Sequence, residues 1–126
     1  MKTVLLSALL VAAQSVVAWG GVPHKKGVAS WYGEAHRGKL MANGKKFNPD
    51  KLTAASWFYP LGTKVRVTLK APKRKRRSVL VTITDRGPAK RLVRTGRVID
   101  LALAAFKRLA NPHMGLVTVT VQPITD

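Results

Sequence analysis

Residues 63–69, TKVRVTL, and residues 79–83, VLVTI, decide the reading of this chain. Val65, Val67 and Leu69 recur at every second position of the first segment, and Val79, Val81 and Ile83 at every second position of the other. Alternate side chains of a strand point to opposite faces, so each segment predicts a half-buried strand with one apolar face. Between them, residues 70–78 read KAPKRKRRS. Pro72 cannot donate to a sheet ladder, so this basic stretch predicts the tip of a hairpin.

Working outward, GVASWYG at 27–33 predicts a short strand that stops at a glycine. Residues 34–50 carry the breakers Gly38, Asn43, Gly44, Asn48 and Pro49, which predict a long ordered loop. A short apolar element, LTAAS, follows at 52–56, and YPLG at 59–62 is a turn. Residues 85–97, DRGPAKRLVRTGR, form a second loop of functional character. Beyond it, Asp100 suits a helix N-cap, with Leu101, Ala104, Ala105 and Leu109 at helical spacing and a stop at Asn111-Pro112. The chain closes on an alternating strand, LVTVTVQ, at 116–122. The sum is mainly β with one short helix, and a small barrel is the natural way to hide the strand edges.

The first 18 residues, MKTVLLSALLVAAQSVVA, place Lys2 before an apolar run and end in small residues. That layout predicts a secretory signal peptide at 1–18 with cleavage after Ala18. Its apolar run, interrupted by Gln14, is short of the roughly 20 residues a spanning helix needs. Residues 19–26 read as a flexible lead-in and 27–123 as one domain, exported to the periplasm or beyond. The chain has no cysteine, which excludes disulfides, thiol chemistry and a lipid anchor of the bacterial lipoprotein kind.

Lys and Arg number 23 against 5 Asp and Glu, a formal net charge of +18. Such a field concentrates anionic partners. Export argues against nucleic acid and favours anionic wall polymers or lipid head groups. The densest run, Lys73, Arg74, Lys75, Arg76 and Arg77, is the candidate contact, against the plainer reading of a solvated hairpin tip. His24, His36 and His113 lack metal-ligand spacing, so no metal site is expected, and no cofactor motif is present.

Seven segments occur together in one order: ASWYG at 29–33, ANG at 42–44, LTAA at 52–55, PLGT at 60–63, VRVT at 65–68, TDRGP at 84–88 and GRVIDL at 96–101. In these the chain resembles the rare lipoprotein A family over nearly the whole stretch after the signal. The resemblance implies a six-stranded double-psi β-barrel with a groove on one side. It also implies an endolytic transglycosylase that cuts peptidoglycan glycan strands, preferring strands without stem peptides, and leaves anhydro-muramyl ends. The family commonly carries a further C-terminal peptidoglycan-binding module, which is not expected within these 126 residues.

The family's motif aspartate falls on Asp85, the candidate catalytic residue. Its usual glutamate after the ANG turn is Lys45 here, and its usual histidine after LTAA is Ser56. Glycan-contacting positions carry over to Trp31, Tyr32, Asn43, Lys45, Ser56 and Arg86. Glycoside cleavage needs a proton donor, and a lytic mechanism lets one carboxylate act first as acid and then as base. Of the five acidic residues, Asp126 is terminal, Asp100 reads as a cap and Asp50 as part of a turn, leaving Asp85 and Glu34. Asp85 has a second reading, as organiser of its own turn. Trp31 and Tyr32 point to opposite faces, so at most one of them lines a groove while the other packs the core. The alternative function is a non-catalytic cationic barrel that binds the cell wall.

Overall fold

The computed structural model describes residues 24–71 and 76–124. The expected signal at 1–18 and the basic residues Lys73, Arg74 and Lys75 lie outside the described residues. Six strands are present: β1 (Lys25–Tyr32), β2 (Thr53–Ala55), β3 (Lys64–Leu69), β4 (Ser78–Asp85), β5 (Arg97–Ala102) and β6 (Val117–Pro123). Around the sheet they run β1-β5-β2-β4-β3-β6 and close on β1 as a barrel. The pairs β1–β5 and β2–β4 are parallel, and the remaining four pairings are antiparallel.

The alternating segments behave as their period demands. Val65 faces Val81 and Val67 faces Val79 in the β3–β4 hairpin, and Val67 also faces Val121 of β6. All of these valines are buried, as are Ile83, Val117 and Val119, while Lys64, Arg66, Leu80 and Gln122 between them are exposed. Each strand buries one face in the barrel interior, so a one-residue slip would turn its valines to water. At Gly27 of β1 a Cβ would come within 2.5 Å of the Gly96 carbonyl oxygen, so only glycine allows this approach of β1 to the start of β5.

Three boundaries differ from expectation. β1 starts at Lys25, two residues inside the expected lead-in, because Lys25 and Lys26 pair with Val121 and Thr120 of β6. A one-turn helix, α1 (Lys90–Val93), stands in the second loop, so the single expected helix has a companion. The largest correction concerns residues 97–102, which form β5 and not the start of a helix; α2 begins only at Leu103 and runs to Leu109. Val98, Ile99, Leu101 and Ala102 are all buried, and a strand covered on both faces lacks the alternation that would distinguish it from a buried helix. Asp100 is therefore a strand residue. The cap of α2 is Ala102, without a side-chain hydrogen bond.

Helix α2 buries Ala105, Phe106 and Leu109 and packs on β4, β5 and β1. Its expected stop holds: Ala110 is extended, and the Asn111 side chain caps a 3-10 turn at Pro112–Met114.

Candidate functional site

Strand register brings the chemistry into one row. Ser30 of β1 is the partner of Asp100 in β5, Asp100 faces Ala55 of β2, and Ala55 faces Asp85 at the end of β4. Two carboxylates far apart in sequence thus flank one alanine, about 10 Å apart at their backbones from the strand spacing. Tyr32 belongs to the same end of the barrel: burial raises its hydroxyl above the ordinary phenol value, and the charges of Asp85 and Asp100 raise it further.

The two carboxylates have different surroundings. Asp85 Oδ1 accepts from the backbone amides of Ala42 at 2.9 Å and Arg86 at 2.8 Å. It joins the loop after β4 to the lobe between β1 and β2. Asp100 Oδ1 accepts the hydroxyl proton of Ser30. Burial pushes the Asp100 carboxyl above the usual aspartate range, against the opposing pull of the Ser30 hydrogen bond and the Arg97 and His36 charges. The turn after Asp85 lies over Asp100, since a Cβ on Gly87 would lie 3.5 Å from Asp100 Oδ2.

The other described acids are occupied. Arg37 donates to Glu34 at 2.6 and 2.8 Å and to Asp50 at 2.9 Å, and that bonding holds the Glu34 carboxyl below its usual range. A proton donor near neutral pH needs the opposite shift. Asp100 alone among the described acids has it.

The expected glycan-contacting residues divide. Tyr32 is stacked on Phe47 with ring centroids 4.2 Å apart and meets His36 edge-on, at the acidic row. Trp31 packs against Phe106 and donates from its indole nitrogen to the Pro112 carbonyl at 2.9 Å, so its place is structural. Ser56 is fully buried, and its hydroxyl accepts the Phe58 amide; it cannot touch a glycan. The Arg86 guanidinium donates to the Ser56 and Tyr59 carbonyls at 2.7 and 2.6 Å, and so fastens a turn. Asn43 is exposed, and its side-chain oxygen accepts the Lys45 amide. Lys45 is also exposed, and among the described residues it forms no ion pair with Asp85.

Asn43 and Lys45 instead help line a cavity of about 540 Å³ whose wall also includes Met41, Lys46, Lys51 and Thr84. Neither Asp85 nor Asp100 lines it. Thr84 and Asp85 are neighbours in β4, and strand alternation sends their side chains to opposite faces. A smaller groove, about 350 Å³, holds Lys26, Lys70 and Arg76 near the hairpin tip, where Arg77 is likewise exposed. No group of His, Cys, Asp or Glu among the described residues could hold a metal ion.

Sequence reasoning missed Asp100, its partner Ser30, and His36. A carboxylate inside the apolar run VIDLAL was the available signal, because burying a charge is costly unless something compensates. Trp57 is a further candidate. It remains 42% exposed beside the acidic row, its indole nitrogen fixed to the Pro88 carbonyl at 2.6 Å and Lys90 over its ring at 4.7 Å.

A closed six-stranded barrel with crossed parallel pairs and a carboxylate row at one end defines a class, the double-psi barrels that carry a polar site on the barrel surface. The model of the family described as lytic transglycolase matches residues 24–121, and the chain belongs to that family, the RlpA-like double-psi barrels. A relative from Synechocystis, named as a probable endolytic peptidoglycan transglycosylase RlpA, is 42% identical over 97 residues. The match covers 77% of this chain and 28% of that relative, so the chain spans little more than a quarter of its length. Among solved structures, the Streptomyces papain inhibitor is similar with a TM-score of 0.61 and 23% identity, over 81% of this chain and 94% of the inhibitor. An expansin from Clavibacter michiganensis in complex with cellohexaose has a TM-score of 0.57 and 19% identity, over 82% and 51% of the two chains. These two likenesses establish the fold.

Proposed function

We propose that the chain is an exported lytic transglycosylase-like protein acting on peptidoglycan glycan strands, with Asp100 as its acid and base. The relative's name supports the substrate, and the layout of residues 1–18 supports export. The observation that carries the reaction is the raised proton affinity of Asp100 in a carboxylate row at the end of the barrel.

In the proposed step, protonated Asp100 donates to the glycosidic oxygen, and the bond from that oxygen to the muramyl C1 breaks. The muramyl C6 hydroxyl attacks C1, and the Asp100 carboxylate takes its proton. The products are a strand end with a free hydroxyl and a 1,6-anhydro-muramyl end; the carboxyl returns to its starting state and no water is consumed. Asp85 acts as a positioning residue, holding the Ala42 and Arg86 amides so that both loops border the row. Trp57 offers an apolar ring for a sugar face, as the family of carbohydrate-stacking aromatics does, and Tyr32 borders the acid. Exposed Arg76 and Arg77 extend the contact to anionic wall polymers.

Purified glycan strands without stem peptides, incubated with the chain, should yield anhydro-muramyl ends detectable by mass spectrometry. The Asp100→Asn protein should yield none while keeping its fold. If the wild-type chain is folded and silent but sediments with insoluble peptidoglycan, the second reading holds, a wall-binding barrel without catalysis. That reading is favoured by one observation: Ser56, at the family's histidine position, is sealed in the core.

A further inference from the structure

We infer that the lysine-walled cavity next to the acidic row is a subsite for a carboxylate-bearing sugar unit, and that Lys45, Lys46 and Lys51 hold its carboxylate. For the sugar the inference rests on the glycan reading above; for the charge it rests on the cavity alone. About 540 Å³ is within the size of small-ligand sites, and the wall combines three lysines with asparagines and threonines but no carboxylate.

The cavity is built to donate. The side-chain oxygens of Asn43 and Asn48 accept the Lys45 and Asp50 amides at 2.9 Å each, which leaves their NH₂ groups as the free ends. The nearby acids Glu34 and Asp50 are turned to Arg37 and neutralise none of the lysines. Three ammonium groups around one small space repel each other, and an entering anion relieves that repulsion.

The walls are also fixed in place. Residues 38–47 fold back as a narrow lobe, with Met41 N–H donating to the Lys45 carbonyl at 2.8 Å and Phe47 N–H to the Lys39 carbonyl at 2.8 Å. At the tip Gly44 has a φ of +85°, a conformation open to glycine. The lobe is tied to β4 through Asn43 N–H to the Thr84 carbonyl and Ala42 N–H to Asp85. The cavity and the acid row share this wall, so one strand of sugars can meet both.

The consequence is a choice between substrates. The lactyl carboxylate of muramic acid is free on a bare strand and becomes a neutral amide wherever a peptide is attached. Lysines in the cavity reward the first and gain nothing from the second.

The test is a titration of the purified chain with N-acetylmuramic acid, its lactyl amide, and N-acetylglucosamine, followed by backbone NMR shifts. The acid sugar should bind about tenfold tighter than either neutral one, with shifts at Lys45, Lys46, Lys51 and Thr84. A Lys45→Ser, Lys51→Ser double variant should abolish the preference, and Lys107→Ser, an equally exposed cation on α2, should leave it intact. Equal binding of the three sugars overturns the inference. So does a loss with Lys107→Ser as large as with the double variant, because overall charge would then be the cause. A chain that prefers the acid sugar yet cuts no glycan keeps the subsite and loses the proposed activity; the reverse result does the opposite.

Discussion

Asp85 and Asp100 stand on either side of Ala55, in neighbouring positions of one barrel, and do different work. Asp85 ends its strand and turns to the amides of two loops. Asp100 lies within its strand between buried apolar neighbours, with one hydroxyl as partner. Amide hydrogen bonds stabilise a carboxylate as an anion, whereas burial raises its hold on a proton. The same side chain thus serves as a fastener at one place and as an acid two strands away.

The sharpest way to break this contrast is to neutralise each in turn. Asp100→Asn should lower glycan cleavage by about 100-fold or more, the usual loss with a general acid, in a product-forming assay. Wild-type activity should decline as pH rises through the raised Asp100 value, because the donor is then deprotonated. Asp85→Ala should instead lower stability by about 1–3 kcal/mol in chemical denaturation, since it leaves the Ala42 and Arg86 amides without their acceptor. Asp85→Asn, which keeps an acceptor oxygen, should recover most of that stability.

Asp100 makes a second, opposite prediction. Its folded-state proton affinity is raised, so the wild type is most favoured at low pH and loses stability as pH rises from the unfolded value through the folded one. Asp100→Asn should therefore be more stable than wild type at pH 7, with the gain gone below the unfolded aspartate value of about 3.9. A gain at neutral pH with lost activity marks a functional group held at a cost. A smaller effect tests the rim: Trp57→Ala should weaken retention on glycan by about 1 kcal/mol, read as earlier elution from a glycan column. The smallest concerns Tyr32, whose buried hydroxyl lacks a hydrogen-bond partner among the described residues. Tyr32→Phe should leave the melting temperature unchanged or slightly higher, since it removes a desolvated polar atom and keeps the stack on Phe47.

What could be read in the sequence followed from periodicity. β3, β4 and β6 bury one face each, and their valines alternate accordingly. β5 was hidden because Val98, Ile99, Leu101 and Ala102 are buried on both faces and run into the alanines of α2. Reading Asp100 as a cap followed from that error, and the acid was lost with it. Ser56 and Arg86 were placed in the groove by motif position, but motif order carries no information on which way a side chain turns. One is sealed in the core and the other reaches back to two carbonyls. Asn43 and Lys45 were placed in a groove, yet their company with Lys46 and Lys51 depends on how a loop folds against β4. No local pattern encodes that.

The pairing of β6 with β1 closes the circle of strands. A ring of strands offers no unpaired backbone row to which another polypeptide could add itself. Contacts with large neighbours are therefore left to side chains, where charge and shape discriminate, and copies crowded along one polymer have no sheet margin by which to fuse. For a molecule with this excess of lysine and arginine, which gathers on anionic surfaces, that is protection against becoming a fibre where it is most concentrated.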